Sequence, residues 1–159
     1  MIFNKTFTIQ EAKDLLPQVR QMLVDANLEL QEIAERLKVV HEAFQDAEND
    51  LGTVKTGKED VGDLTRLREC RAAFQEQTQK LSAVQKEYED CLHKWFHKIT
   101  DLGIILRDIP TGLLDFPAQK GDTDYLLCWR LDDKDLDYWH LPNDGFIGRR
   151  PLAVLDEYF

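Results

Sequence analysis

The chain has 159 residues, and its 30 acidic and 20 basic side chains give a formal net charge of -10 at pH 7. Such a charge repels phosphate backbones and anionic lipid headgroups, which argues against nucleic acids and membrane surfaces as partners. The hydrophobic content of 43% is sufficient for a folded core.

The N-terminal stretch, MIFNKTFTIQE, lacks the basic start and apolar centre of a signal peptide. No apolar run approaches the roughly 18 residues of a membrane span, so we expect a cytoplasmic protein. The cysteines, Cys70, Cys91 and Cys128, are odd in number and form no CxxC pair. Their spacing therefore indicates neither a disulfide framework nor a zinc cluster, and reduced thiols are expected.

Thr8 and Glu11 have the spacing of a capping box, which predicts the start of a first helix. Pro17 follows about two turns later, and because it has no N–H it predicts either a kink or the start of a new helix. From position 16 onward, apolar residues repeat at three-then-four spacing, the a and d pattern of a coiled coil. This row consists of Leu16, Val19, Leu23, Ala26, Leu30, Ile33, Leu37, Val40, Phe44, Ala47 and Leu51.

The glycine-containing segment 52–62 has little periodic apolar content and predicts a connection. A second helix is predicted from about Asp63. Because the connection is short, the two helices should fold back antiparallel, and we expect Val40 to face Phe74. The apolar row of the second helix consists of Leu64, Leu67, Cys70, Phe74, Leu81, Val84, Tyr88, Cys91 and Trp95.

Short apolar runs separated by polar turns follow Gly103, at 104–106, 112–117, 125–131 and 138–141. This pattern predicts strands, and the simplest arrangement of the strands is a small antiparallel meander.

The predicted fold class is therefore α+β and mainly α, a long antiparallel helical hairpin with a small C-terminal β-meander. We expect two domains, a hairpin over 1–102 and a β-rich region over 103–159 that packs on the base of the hairpin. The tail, 145–159, has no clear period and is interpreted as mostly loop.

Four motifs follow one another in the C-terminal part of the chain: TGLLDFPA at 111–118, LCWRL at 127–131, YWH at 138–140 and GFIGRRPL at 145–152. Together they resemble the signature of a bacterial family of uncharacterised proteins, a domain of unknown function. The opening FTIQEA, followed by LLP, is similar to the start of that family, so the resemblance spans nearly the whole chain. It implies a helical hairpin with a small sheet region, and it brings no activity, substrate or cofactor.

The first candidate site combines paired guanidinium groups with glycines that permit close backbone approach. This chemistry suits a carboxylate or a phosphate. The alternative, which general principles favour, is internal pairing of these arginines with Asp108, Asp115 or Asp137. The candidate ligand-binding residues are Thr111, Gly112, Arg130, Gly148, Arg149 and Arg150.

The second candidate site is a row of side chains four residues apart, Glu89, His93, His97 and Asp101. On a helix this spacing places two imidazoles and two carboxylates on one face, where they could ligate a divalent metal. The heptad count directs this face away from the helix seam. The row therefore also fits an ordinary solvated helix surface, which is the favoured interpretation.

A third group consists of Cys128 and His140 on neighbouring predicted strands, with Asp115 nearby in the same predicted sheet. These residues could form a thiol, a base and an orienting acid. A cysteine within an apolar run is more often a small core side chain, and we favour that interpretation.

No GxGxxG, P-loop, GxSxG or HExxH motif is present, so the commoner enzyme classes are not indicated. The sequence favours a non-catalytic interaction protein without a cofactor, in which the hairpin mediates a homodimer or binds an unidentified protein partner. One alternative is a binding module or enzyme that takes a small anion at the arginine-bearing region, and another is a metal-binding protein that uses His93 and His97. The homodimer follows from apolar side chains that lie off the two rows: Leu15, Met22, Leu28, Leu92, Phe96 and Ile99.

Overall fold

A helix of 47 residues, α1, runs over Ile9–Lys55 in the computed structural model, which describes residues 3–55 and 61–159. The predicted cap is present, because the backbone N–H of Glu11 donates to the Thr8 hydroxyl oxygen at 3.0 Å. Pro17 lies inside α1, so the prediction that a new helix starts there is wrong. A single missing N–H is tolerated in a long helix that buries an apolar stripe.

The apolar row of α1 is confirmed by burial, since every predicted member is buried or half-buried. Val19, Leu23 and Ala26 have no exposed surface at all. The row becomes less buried after Ile33, from which point most members are half-buried. The three-then-four spacing therefore identified the buried stripe of this helix correctly.

The second helix, α2, covers Val61–Thr100 and packs with α1 as a helical hairpin. Part of the predicted connection is helical, because α1 continues through Gly52 to Lys55, and residues 56–60 lie outside the described residues. The Phe74 ring contacts that of Phe44, with 5.3 Å between centroids, one turn away from the predicted partner Val40. The pairing of Val40 with Phe74 stays a prediction. Leu64 is 50% exposed, so its place in the buried row is wrong.

Five strands follow the hairpin: β1 (Ile105–Asp108), β2 (Leu113–Lys120), β3 (Thr123–Trp129), β4 (Tyr138–His140) and β5 (Arg150–Pro151). They form one sheet in the order β1-β2-β3-β4-β5, with every neighbouring pair antiparallel. The predicted meander and the predicted α+β, mainly α class are confirmed.

The interpretation of the tail as mostly loop is wrong. It contains β5, 3₁₀ turns at Phe146–Gly148 and Leu152–Val154, and a final helical turn, α3, at Leu155–Tyr158. Strand β5 is only two residues long and forms by pairing with β4, where Trp139 faces Arg150. A strand that depends on such a distant partner leaves no periodic pattern in its own sequence.

The described chain packs as two compact units, Met1–Leu28 with His93–Phe159, and Glu29–Leu92. We call the first the sheet unit and the second the arm. The predicted domain division at 102/103 stays a prediction. No helix among the described residues has the length and apolar character needed to cross a membrane.

The core of the sheet unit lies between one face of the sheet and the helix segments of this unit. Phe7 packs edge-on against Phe116 on β2, with 5.3 Å between ring centroids. The Arg20 guanidinium lies 4.9 Å from the centroid of the Trp129 ring on β3. These contacts bury the aromatic face of the sheet and leave the polar residues of the meander on the opposite face.

Candidate functional site: a buried carboxylate, thiol and imidazole

Asp115, Cys128 and His140 lie on three adjacent strands and share one face of the sheet. Asp115 on β2 is directly opposite Cys128 on β3, and His140 on β4 is opposite Leu126, two residues from Cys128. Because strand side chains alternate between faces, Leu126 and Cys128 point to the same side, and His140 lies diagonally across from the thiol. All three side chains are buried, with exposed fractions of 2% or less.

The imidazole of His140 is held at both ring nitrogens. Nδ1 lies 2.7 Å from the carbonyl oxygen of Leu141, and Nε2 lies 3.0 Å from Oδ1 of Asp115. Both partners are acceptors, so both nitrogens carry protons and the ring forms an ion pair with the carboxylate.

The pKa of His140 reflects this arrangement. Burial lowers it, but the hydrogen bonds to Asp115, to Cys128 and to the Leu141 carbonyl, with the charge of Asp115, outweigh burial and raise the pKa from 6.5 to about 10. The imidazolium is therefore the stable form at neutral pH unless another cation replaces its proton.

Arg107 completes the polar surroundings of Asp115. The pairing of β1 with β2 slips between Leu106 and Asp108, and this bulge directs Arg107 toward Asp115. Its Nε donates to Oδ2 of Asp115 at 2.9 Å, while the Arg107 side chain stays 45% exposed. Sequence reasoning missed Arg107, because a bulge depends on the pairing of two strands and has no local signature.

The donor atoms of Asp115, Cys128 and His140 all lie within 4.8 Å of one another, and no other three His, Cys, Asp or Glu residues in the described chain approach so closely. The three side chains line a cavity of about 280 Å³. Apolar and polar side chains form the rest of its wall: Arg107, Leu113, Pro142, Asn143, Gly145 and Phe146. The cluster is buried, yet one side of it faces an open volume.

Arg149, a predicted ligand residue, lies beside this cluster. It forms a largely buried ion pair with Asp133, with 2.7 Å between Nη1 and Oδ2. Its guanidinium stacks between Tyr138 and Phe146, at 3.8 Å and 4.4 Å from the ring centroids. Burial lowers the pKa of Arg149, but its contacts with Asp133 and Cys128 outweigh burial and raise it. The predicted site and the buried cluster therefore meet at the Cys128 thiol.

The other predicted arginines have aromatic neighbours. The Arg130 guanidinium lies 4.8 Å from the Phe146 ring centroid, and that of Arg150 lies 4.5 Å from the Tyr158 centroid. Arg130 and Arg149 thus share Phe146, and β5 holds Arg150 against the aromatic end of the chain. Anion binding by these arginines stays a prediction.

The remaining predicted ligand residues have structural contacts. Thr111 closes a turn, since its hydroxyl and backbone N–H both donate to Oδ2 of Asp108, at 2.6 Å and 3.0 Å. Gly112 has a positive φ of 68°, and a Cβ there would lie 2.5 Å from Cγ of Leu131. At Gly148 a Cβ would lie 2.7 Å from Cβ of Asp144. Asp108, one of the predicted arginine partners, is thus used by Thr111.

The helical row of candidate metal ligands is exposed throughout. Glu89, His93 and His97 are exposed on α2, and Asp101 is exposed immediately after it. A metal site at these residues stays a prediction.

Together these features define an α+β protein with a helical hairpin and a small meander, and the meander carries a buried carboxylate, thiol and imidazole. The family model for DUF2203, described as an uncharacterised conserved protein, matches residues 5–152. The chain belongs to this family, which confirms the resemblance found in the sequence. No curated protein and no solved structure matches the chain.

Proposed function

We propose that this is a metal-binding protein whose centre consists of Asp115, Cys128 and His140, and that its ion is Zn²⁺. The observation that carries the proposal is the approach of three ligand-type donors to within 4.8 Å of one another in a buried site. In a tetrahedral zinc site the ligand atoms lie roughly 3.3 to 3.7 Å apart. Small side-chain movements would therefore close these donors on an ion.

Each ligand is also held by a second contact, as the ligands of metal centres usually are. The Leu141 carbonyl accepts from Nδ1 of His140, which leaves Nε2 for the ion. Arg107 occupies Oδ2 of Asp115 and leaves Oδ1 for the ion. The interaction of Arg149 with Cys128 raises the pKa of Arg149, so a thiolate at Cys128 would have a cationic neighbour.

The types of donor atom favour Zn²⁺ as the ion. A thiolate with an imidazole and a carboxylate suits zinc better than calcium or magnesium, which prefer oxygen ligands. Three protein ligands with an open fourth position are typical of zinc sites that bind an exogenous group. The cavity beside Asp115, Cys128 and His140 provides space for that position.

The competing interpretation, a nucleophilic thiol with a base and an orienting acid, fits the geometry less well. In such a triad the acid contacts one ring nitrogen and the nucleophile contacts the other. In this protein the backbone carbonyl of Leu141 takes Nδ1, and Asp115 contacts Nε2. With Nδ1 taken by the carbonyl, Asp115 occupies Nε2, the ring nitrogen that Cys128 would need in a triad. Donor atoms of Asp115 and Cys128 close to the same nitrogen suit the binding of a cation.

Metal titration of the purified 159-residue chain tests the proposal. After dialysis against a chelator, calorimetry with Zn²⁺ should give one site per chain. With Co²⁺, the protein should show absorption from thiolate-to-cobalt charge transfer. Cys128→Ser should abolish that absorption, and Asp115→Asn or His140→Gln should weaken metal binding by at least about 100-fold.

Two matched variants serve as controls for residue type. Cys70→Ser removes a thiol from the arm, and His41→Gln removes an exposed imidazole from α1. Both should bind metal as the parent does. A parent chain that binds no metal would overturn the proposal, and so would tight binding that survives Cys128→Ser but is lost in His93→Ala.

The hairpin supports a second function, association with a second copy of the chain. Its helices expose large apolar side chains: Leu28 is 62% exposed, Val39 is 67% exposed and Phe96 is 41% exposed. Burial of such side chains in a partner helix is favourable by about 25 cal/mol per Å². Sedimentation equilibrium at micromolar concentration should therefore give twice the chain mass of 18.5 kDa, and a mass near 18.5 kDa would contradict the homodimer.

A cytoplasmic location belongs to the same proposal. The Cys128 thiol must stay reduced to serve as a ligand, and the cytoplasm maintains reduced thiols.

A further inference from the structure

The cavity beside Asp115, Cys128 and His140 has the dimensions of a small-molecule site. Its volume is about 280 Å³, close to the lower end of the range for ligand pockets. Leu113, Pro142 and Phe146 supply apolar walls, and Arg107 and Asn143 supply polar groups. A ligand of this cavity must therefore be small and must offer polar atoms at one end.

Arg107 lines the cavity and has N–H donors that are not used in hydrogen bonds to the described residues. Its Nε is bonded to Asp115, and no other hydrogen bond of its guanidinium is present among the described residues. An arginine has five N–H donors, arranged as a planar fork that matches two oxygens of a carboxylate or phosphate. The bulge in β1 fixes the backbone of Arg107, and Asp115 anchors the Nε end of the side chain.

The charges in the loaded site favour an anion. A Zn²⁺ ion would be neutralised by the Asp115 carboxylate and a Cys128 thiolate, while His140 as a ligand would be neutral. The positive charge of Arg107 would then remain without compensation at the cavity. A negatively charged ligand would complete the charge balance and occupy the position that the three protein ligands leave open.

We infer that the cavity binds a small oxyanion, a carboxylate or a phosphate, with one oxygen on the metal ion and another on the guanidinium of Arg107. This inference rests on the proposed metal centre. It assigns Arg107 as the specificity-determining residue, in place of the arginines at 130, 149 and 150. Arg149 is already paired with Asp133, whereas Arg107 lines the cavity itself.

The test uses protein already loaded with Co²⁺ and freed of excess metal, so that metal binding is established before any anion is added. Acetate and inorganic phosphate are titrated separately at constant ionic strength in chloride. Calorimetry and the visible spectrum of the cobalt ion are recorded together. Saturable binding of either anion should change the cobalt spectrum, and the two titrations distinguish a carboxylate ligand from a phosphate ligand.

Arg107→Gln also loses the contact with Asp115, so its content of one Co²⁺ per chain is verified before any anion is added. The loaded variant should bind the preferred anion at least about 10-fold more weakly than the parent. Arg107→Lys, which keeps the charge without the fork, should fall between the parent and Arg107→Gln. Arg71→Gln removes an exposed arginine from α2 and should leave the affinity unchanged.

The outcomes separate this inference from the proposed function. A chain that takes up no metal defeats the proposed centre itself. A loaded chain that binds neither anion, or that binds one equally well after Arg107→Gln, would overturn the oxyanion inference and leave the metal centre standing.

Discussion

The arm and the sheet unit use their interiors differently. In the arm, Glu29–Leu92, the buried surface is a stripe of apolar side chains, and the Arg36–Glu87 ion pair lies at the surface with both side chains 48% exposed. The sheet unit buries a carboxylate, a thiol and an imidazole together. A helical stripe places like residues in line along one axis, whereas a sheet brings residues from distant parts of the sequence side by side. Chemistry is therefore expected in the sheet unit.

The largest effect should follow from a charge in the seam of the arm. Leu30 is 6% exposed, so Leu30→Asp would bury an unpaired carboxylate and lower the free energy of unfolding by about 4 kcal/mol. Val84 is half-buried, and Val84→Asp should cost less. Urea denaturation measures both. Gln31→Asp, at an exposed neighbouring position, is the control and should have the same free energy of unfolding in urea as the parent.

The next largest effect should come from the buried ion pair of the sheet unit. Asp133→Ala would leave the guanidinium of Arg149 buried without its carboxylate and should lower the free energy of unfolding by about 3 kcal/mol. Asp132→Ala removes an exposed carboxylate from the adjacent position and serves as the control. Equal stability of the two variants in urea would show that the Arg149–Asp133 pair contributes nothing.

The stability of the metal-free protein should depend on pH through His140. Its pKa is raised from 6.5 to about 10, so the stabilisation is fully present below pH 6.5 and is lost as the pH rises toward 10. The free energy of unfolding should fall in this window by at most about 1.4 kcal/mol per pH unit.

Urea denaturation in chelator at several pH values measures this slope. The groups facing the imidazole are Asp115, its partner Arg107, and Cys128. Asp115→Asn removes the carboxylate that holds the second proton and should flatten the slope. A slope that is equally steep in that variant would contradict the assignment to the pair of Asp115 and His140.

The smallest effect should come from the surface of the arm. Arg36→Gln breaks the ion pair with Glu87, but both side chains are about half exposed and water replaces the lost contact. We expect no resolvable change in melting temperature. A loss as large as that of Asp133→Ala would remove the contrast between the two regions.

The helices were predictable because their signal is local. The three-then-four spacing alone identifies the buried stripe of α1, including Val19 and Leu23. The end of α1 was less predictable, because the glycine at position 52 predicts a helix end. In the structure α1 continues through Gly52 to Lys55, and no atom lies within 4 Å of the place where a Cβ at Gly52 would be. Strand β5 was missed because it exists only through its pairing with β4.

The residues of the site could be named from the sequence, although a core side chain was the favoured interpretation of Cys128. The predicted strands place Cys128 and His140 on neighbouring strands with Asp115 in the same sheet, but they do not show that Asp115 lies opposite Cys128. The cysteine spacing gave no indication of zinc, because such spacing rules describe ligands close together in the chain. Here the three donors come from three strands.

The partner of Arg149 shows the same limit. The sequence offered Asp108, Asp115 and Asp137, but Asp108 binds Thr111 and Asp115 binds Arg107 and His140. The actual partner is Asp133, which lies in the connection between β3 and β4. Which of several acidic residues meets an arginine depends on the path of such a connection, and that path has no periodic signal.

X-ray absorption at the zinc edge tests the central claim most directly, because it counts the atoms bound to the ion. For the zinc-loaded chain we predict one sulfur at about 2.3 Å, with nitrogen and oxygen ligands at about 2.0 to 2.2 Å. The sulfur should disappear in Cys128→Ser and remain in Cys70→Ser. A zinc ion without a sulfur ligand in the parent chain, or with a sulfur that survives Cys128→Ser, would contradict a centre formed by Asp115, Cys128 and His140.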